Sequence, residues 1–268
     1  MSTDLQMDPA WRRAAGAWPV DLSLDRNLRT SFDLLRTKWQ EVPFEQYERR
    51  NSADLLNLSD SAIVEKWLTS YLGASTGSAF SNRGWYQTLY RDIFKGKKIL
   101  DVGCGLGTDT IHYAEHGASV TFLDIVESNV EFVQRVCKAK GLNNVSFYHM
   151  RDLDDLGRLP YDYDAIYCGG SFINAPLEAS RLEAQALIRH LPIGGRWIEL
   201  GYPKTRWERE GRMDEREWGI RTDGGAPWVE WHDLAKLDFL LSPASFDTVL
   251  YLEFHNSDFN WFDLVRRA

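Results

Sequence analysis

The sequence is poor in cysteine, in basic residues relative to acidic ones, and in long apolar runs, and each shortage removes a class of function. Its three cysteines, Cys104, Cys137 and Cys168, are an odd number without a Cys-x-x-Cys spacing, which argues against a disulfide framework and gives no zinc signature. Lys and Arg total 31 against 39 Asp and Glu, for a net charge of −8. A protein that follows a phosphate backbone needs the opposite balance, so nucleic acid is not an expected partner. No apolar stretch approaches the ~20 residues that span a bilayer. Met1 to Asp8 is acidic and carries no basic-then-apolar signal pattern. A cytoplasmic protein without a membrane partner is the expectation. With 268 residues, 44% of them hydrophobic, the chain is long enough for one large domain or a domain with an appendage.

What is present centres on Lys98-Ile99-Leu100-Asp101-Val102-Gly103-Cys104-Gly105-Leu106-Gly107-Thr108-Asp109. Apolar residues run into an acid and then into three alternating glycines, which reads as a buried strand, a turn and a helix start. Glycine permits the turn's backbone angles and lets a ligand lie against the main chain, and the free N–H groups of the helix then face that ligand. A dinucleotide fingerprint requires Gly-x-Gly-x-x-Gly, but its sixth position here is Thr108, with Gly107 one place early. A nicotinamide or flavin site fits poorly. A second apolar run, Ser119 to Leu123, ends in Asp124, and in a doubly wound fold such a carboxylate meets ribose hydroxyls. Further runs follow at Val145 to His149, Tyr163 to Cys168, and Arg196 to Leu200 after Pro192-Ile193-Gly194-Gly195.

Asp101 to Gly107, an acid followed by Gly-x-Gly-x-Gly, resembles the first motif of class I S-adenosylmethionine-dependent methyltransferases. The later runs keep that family's order, and the resemblance covers about residues 96–200 and 247–266. It implies an α/β fold: a doubly wound, seven-stranded, mainly parallel sheet with a C-terminal antiparallel hairpin, here preceded by a helical N-terminal arm. It also implies S-adenosylmethionine as cofactor and S-adenosylhomocysteine as product. Asp101, Gly103, Cys104 and Gly105 would form the turn beneath the cofactor. Its carboxylate would meet the N–H groups near Gly107 and Thr108, with Asp109 near its ammonium. Asp124 would hold the ribose with Ile125 beside it, Asp152 the adenine amino group, Leu153 the ring through its N–H, and Cys168 and Gly169 would close the site. After the fourth strand stands Cys168-Gly169-Gly170-Ser171-Phe172, not the Asn/Asp-Pro-Pro-Tyr of relatives that methylate nucleic-acid or protein nitrogens. The acid cluster that binds magnesium in catechol-type relatives is also missing, so no metal is expected. A small-molecule acceptor methylated on oxygen or nitrogen remains, with carbon left open. The alternative is a catalytically silent protein that binds the cofactor or its product and regulates a partner.

Residues 1–95 read as a helical arm and cap, residues 96–268 as the cofactor domain, and residues 202–240 as a lid-like insertion in it. Leu28, Phe32, Leu35, Trp39 and Val42 recur at helical spacing, as do Ile63, Val64, Trp67, Leu68 and Tyr71, with Pro43 and Gly73 as breaks. Helices are expected over 83–94, 108–116, 127–140, 178–190 and 233–241. Lys204 to Trp218 alternates in charge and reads as a solvated helix or a mobile segment. Nine of the eleven tryptophans lie in the arm or the insertion, where they would roof an acceptor pocket beyond the strand ends. Trp85, Ser171, Tyr202, Trp228 and Trp231 are the substrate candidates. Arg83, Arg206, Arg209 and Arg212 suit an acidic acceptor, but Glu208 and Glu210 nearly cancel them. Glu199, His232 and His255 are the candidate bases, required only where the acceptor keeps a proton at neutral pH.

Overall fold

The computed structural model describes residues 23–44 and 48–268. Trp11, Trp18 and the remainder of the expected arm before Ser23 lie outside them. The arm begins with α1 (Ser23–Trp39) and continues as a small antiparallel hairpin, β1 (Glu41–Phe44) and β2 (Glu48–Asn51). A one-turn helix α2 (Ser52–Leu55) and helices α3 (Asp60–Ser75) and α4 (Gly84–Ile93) complete it. The hairpin departs from the helical reading of this region. Val42 and Phe44 are buried while Glu41 and Pro43 are exposed, a period of two that sends both apolar side chains into the cluster that holds Leu106 and Ile111. Proline suits such a two-stranded edge, which leaves one side of each strand unpaired.

The sheet comes next. It begins with β3 (Lys98–Val102), α5 (Thr108–Glu115), β4 (Ser119–Asp124), α6 (Glu127–Ala139) and β5 (Val145–His149). It continues with β6 (Ala165–Gly169), α7 (Leu177–Ile188) and β7 (Arg196–Gly201). After the insertion's α8 (Lys204–Arg209), α9 (Glu215–Thr222) and α10 (Leu234–Leu241), it closes with β8 (Phe246–Phe254) and β9 (Phe259–Arg266). The seven strands lie in the order β5-β4-β3-β6-β7-β9-β8. The first five are parallel, and β9 runs antiparallel to both β7 and β8.

The central strands are buried almost end to end because both faces are covered. Leu100, Leu123, Ile166 and Trp197 pack with α7 and α10. Their neighbours Ile99, Val120, Ala165 and Ile198 pack with Tyr86 and Tyr90 of α4 and Tyr113 of α5. On that second face, Trp67 of α3 joins Phe132, Val133 and Val136 of α6 in a further cluster. The insertion is less solvated than its charge pattern suggests. Trp207 and Trp218 are buried, donating to Met213 O (2.7 Å) and Glu210 Oε2 (2.6 Å), and the segment splits into two short helices at Gly211 and Arg212, both with positive φ. Among the described residues no helix is long and apolar enough to cross a membrane.

Candidate active site

The sheet order reverses between β3 and β6, and a cavity of about 1020 Å³ opens there, beyond the carboxyl ends of the strands. Its floor is the glycine turn. Gly103, Gly105 and Gly107 all have positive φ (68°, 56° and 65°). Two of them are also forced by close approach. A Cβ on Gly103 would lie 2.6 Å from Ser171 Cβ, and one on Gly107 would lie 2.7 Å from Val133 Cγ1. Gly103, Cys104, Gly105 and Thr108 line the cavity, whereas Gly107 serves the packing of α5 on α6.

Asp124 stands at the rim, where Gly105 N–H (3.2 Å), Val126 N–H (2.8 Å) and Asn129 Nδ2 (3.2 Å) donate to its carboxylate. Burial pushes its pKa up to about 6. Ile125, Asn129 and Met150 continue this wall. Asp101 lies behind the turn, fully buried, with the Thr110 hydroxyl donating to it; burial and then neighbouring Asp109 push its pKa up to about 7. The Asp109 carboxylate does not line the cavity. It is sealed beneath the cavity by Gln87 Nε2 (2.6 Å), Tyr167 OH (2.8 Å) and Arg83 Nη1 (3.3 Å), so it braces Arg83 rather than facing a ligand's ammonium. Arg83 itself lines the cavity and also donates to Thr108 Oγ1 (2.7 Å) at the start of α5. Burial raises the thiol pKa values of Cys104 and Cys168 well above the ordinary value, which keeps both as thiols.

The opposite wall comes from the arm, the loop after β6, the insertion and the terminal hairpin. Trp39, Val42 and Phe44 meet Ile173, Asn174, Tyr202, Asp223, His255 and Phe259 there. Asp223 faces Asn174 and Tyr202, and burial raises its pKa. His255 has φ 52° in the hairpin turn, and its Nδ1 lies 3.2 Å from Ser81 Oγ of the arm. A clasp joins arm to insertion: Lys38 Nζ donates to Gly224 O, and the Arg49 guanidinium, which lies over the Trp39 ring at 5.2 Å, stands beside Asp223 and Gly224.

Several residues expected at the site stand elsewhere. Asp152 caps the 3₁₀ turn Leu153–Arg158, accepting from the N–H groups of Asp154 (3.1 Å) and Asp155 (3.2 Å), and neither it nor Leu153 lines the cavity. Cys168 lies one residue below the lining Gly169. Glu199 and His232 are fully buried and bonded to each other, and Trp197 Nε1 donates to Glu199 (3.1 Å). This pair links β7 to the insertion and does not reach the cavity. Trp85 packs edge-on against Trp261 and Phe254. Trp228 packs with Leu35 and Ala179, and Trp231 with Trp207 and the Lys236 ammonium (3.6 Å). Among the described tryptophans, Trp39 alone lines the cavity, with Tyr202 and Phe259.

Asn82, Tyr86, Asn129, Asn174, Glu183 and Asp223 line the cavity without having been singled out in the sequence. Only Asn129 had a local signal, since it sits on the first turn of the helix that follows Asp124. Asn82 Oδ1, Tyr86 OH, Asn129 Oδ1, Ser171 Oγ and Asn174 Oδ1 are buried without a partner among the described residues. An unmet buried polar atom costs about 1–3 kcal/mol, so a wall holding several suits a polar ligand. Acceptors beside the rim carboxylate of Asp124, an arginine beside a helix start and apolar side walls fit an adenosyl amino acid.

Residues 99–195 match the family model described as "Methyltransferase domain". That segment, about a third of the chain, is similar to a methyltransferase domain. A ubiquinone biosynthesis O-methyltransferase of Coxiella burnetii is 36% identical over 74 residues, 28% of this chain and 31% of that protein. The 23S rRNA (uracil(1939)-C(5))-methyltransferase RlmD of Salmonella typhi is 28% identical over 100 residues, 37% of this chain and 22% of that one. The chain thus spans less than a third of the length of either curated relative. Among solved structures, the N-methyltransferase NodS of Bradyrhizobium japonicum, in complex with S-adenosyl-L-homocysteine, shares the fold. The TM-score is 0.52 at 14% identity, over 77% of this chain and 97% of that one. The matched segment contains the glycine turn, Asp124 and Gly169, while the arm and insertion that complete the cavity lie outside it.

Proposed function

We infer that the chain binds S-adenosylmethionine and transfers its methyl group to an oxygen or nitrogen of a small-molecule acceptor. The observation that carries this reading is the Asp124 carboxylate, fixed by three donors at the rim of a glycine turn that opens into a large cavity. When bound, the cofactor supplies an electrophilic sulfonium methyl. The chain's own residues then bind and align. Asp124 accepts the ribose hydroxyls, and the backbone from Gly103 to Gly105 lies along the cofactor. The N–H groups at the start of α5 hold its carboxylate together with Arg83, whose position Asp109 and Thr108 fix. Trp39, Phe44, Tyr202 and Phe259 enclose the acceptor and keep water out, with residues 1–95 acting as a cap. Such alignment in a dry site supplies much of the acceleration of a methyl transfer.

Where the acceptor carries a proton, Asp223 and His255 are the groups placed to receive it, since both line the wall opposite the turn. An enclosed aromatic wall and a net charge of −8 support a small acceptor over a nucleic acid. Calorimetric titration with S-adenosylmethionine and with S-adenosylhomocysteine tests the reading, and micromolar binding of both is expected. Candidate phenols, acids and amines are then screened for gain of a methyl group by mass spectrometry. Binding of neither ligand would overturn the cofactor assignment. Binding of both without turnover of any acceptor would favour the regulatory alternative.

A further inference from the structure

The wall opposite the glycine turn is rich in hydrogen-bond acceptors and short of donors. Among the described residues that line the cavity, Arg83 is the one Lys or Arg, and it is held at the start of α5 by Thr108 and Asp109. Asn174 is 6% exposed, and its Nδ2 donates to Gly170 O (3.0 Å). A carbonyl oxygen only accepts, so this bond fixes which end of the amide is which. The end left buried without a partner among the described residues is Oδ1, and Ser171 Oγ of the same turn is unmet as well. Asp223 stands beside Asn174 and Tyr202. Burial raises its pKa, while Arg49, Asn174, Arg206 and Lys38 favour its ionised form. Those three cations do not line the cavity and have partners outside it. Lys38 donates to Gly224 O and pairs with Glu41 (3.6 Å), Arg49 donates to Glu41 O (3.0 Å), and Arg206 pairs with Glu210 (2.9 Å) and donates to Asp258 O (3.2 Å).

Chain geometry ties this wall to the glycine turn. Ser171 lies so close to Gly103 that a Cβ there would come within 2.6 Å of it, and Asn174 N–H donates to Ser171 O (3.2 Å). The unmet oxygens therefore run from the turn toward Asp223. What they lack is donors, and that sorts the possible acceptors. A carboxylate brings none and meets Asp223 as a like charge. An alcohol or phenol brings one O–H and leaves part of the wall unmet. A primary ammonium brings three N–H donors and no acceptor, and its charge suits both a carboxylate and the aromatic faces of Trp39, Tyr202 and Phe259. We propose that the acceptor is an alkyl amine, received as its ammonium by the Asp223 carboxylate and Asn174 Oδ1 and methylated on that nitrogen. This rests on the cofactor assignment made above. For transfer, Asp223 takes one ammonium proton, which frees the nitrogen lone pair. That pair forms the new N–C bond, the bond from methyl to sulfur breaks, and its electrons stay on sulfur. The product leaves as a protonated methylamine, and Asp223 returns its proton to water.

The test uses the chain saturated with S-adenosylhomocysteine and two matched sets of probes: phenethylamine, phenethyl alcohol and phenylacetate, then tryptamine, tryptophol and indoleacetate. Calorimetry at neutral pH is run on the wild type, on Asp223→Asn and on Asn174→Ala. In at least one set the amine is expected to bind roughly tenfold or more tightly than its alcohol and its acid, the scale of one charge-assisted hydrogen bond. Asp223→Asn keeps the side chain's shape and loses most of that preference. Asn174→Ala weakens amine binding by roughly threefold to tenfold and leaves alcohol and acid nearly unchanged. Both variants should bind S-adenosylhomocysteine as the wild type does, which shows that they fold; if Asp223→Asn does not, Asn174→Ala decides alone. The proposal is overturned by an alcohol or acid that matches its amine in both sets, by the absence of any amine binding, or by folded variants that keep the wild-type amine affinity. Failure of the wild type to bind S-adenosylhomocysteine would instead remove the cofactor assignment, and this inference with it.

Discussion

Asp124 and Glu183 show how unequally single residues announce themselves. Asp124 ends an apolar strand at a fixed interval from a glycine triplet, so a local pattern suffices to place it. Replacing it by alanine removes a charge-assisted acceptor, and affinity for S-adenosylhomocysteine should fall by roughly tenfold to a hundredfold in calorimetry. Unchanged affinity would take the ribose role from it. Glu183, Asn174 and Asp223 become neighbours of the glycine turn only through tertiary packing, and no spacing rule joins them to it. Asp152 is the opposite case: an acid in the expected place caps its own helical turn through one carboxylate oxygen and does not line the cavity.

Glu183 also carries a pH signature. Its folded pKa of about 7 lies above the ordinary 4.5, so the unfolded chain ionises more easily than the folded one. Its contribution to stability is whole below about pH 4.5 and is lost as pH rises through 7. Asp101, raised from 3.8 to about 7, and Asp124, raised from 3.8 to about 6, act in the same direction. The unliganded chain should lose thermal stability from pH 4.5 to 7.5. Glu183→Gln should be more stable than wild type at pH 7.5 by up to about 3 kcal/mol, with the gap closing at pH 4.5. Scanning calorimetry across that range checks both.

Among elements, those buried on two faces were the legible ones. Continuous apolar runs marked β3, β4, β6 and β7, and glycines set the ends of α5 and α6. The β1–β2 hairpin was not legible, because four residues with a proline among them are too few to separate a period of two from a helical pattern. The turn between β3 and α5 permits a direct test of close approach. Gly107 and Gly141 have similar φ, 65° and 71°, but only Gly107 would bring a Cβ against a neighbour, Val133, whereas nothing lies within 4 Å at Gly141. Gly141→Ala should cost only the left-handed backbone strain, about 1–2 kcal/mol. Gly107→Ala should cost about 1–3 kcal/mol more through overpacking, read as a lower denaturation midpoint. Equal losses would mean that Val133 yields freely.

Across the whole molecule, the cavity belongs to no single part of the chain. Phe32, Leu35 and Trp39 of α1 line it, Arg36 of the same helix binds Ile125 O (3.1 Å) and Arg151 O (2.7 Å), and Lys38 reaches Gly224 in the insertion. A ligand on the glycine turn therefore stabilises contacts made from opposite ends of the sequence. S-adenosylhomocysteine should slow amide hydrogen exchange in α1 and around Gly224 as well as in the turn between β3 and α5. Protection confined to that turn would show that the arm does not close over the ligand. Sequence reasoning foresaw an arm and an insertion near the strand ends, because an open α/β sheet leaves its crevice there. It did not foresee which aromatic side chains would face inward, since that depends on how α8, α9 and the loop after Thr222 pack.

The strand order bears on how the chain assembles during synthesis. β8 touches the sheet only through β9, and β9 alone bonds to the outer side of β7. Since β9 is made after β8, a nascent chain that has emerged as far as β8 holds a strand with no docking partner and a β7 whose outer edge is open to any passing strand. Sheet completion waits for Phe259 to Arg266 to leave the ribosome. A chain truncated just before Phe259 should then engage chaperones and mispair more than the full chain.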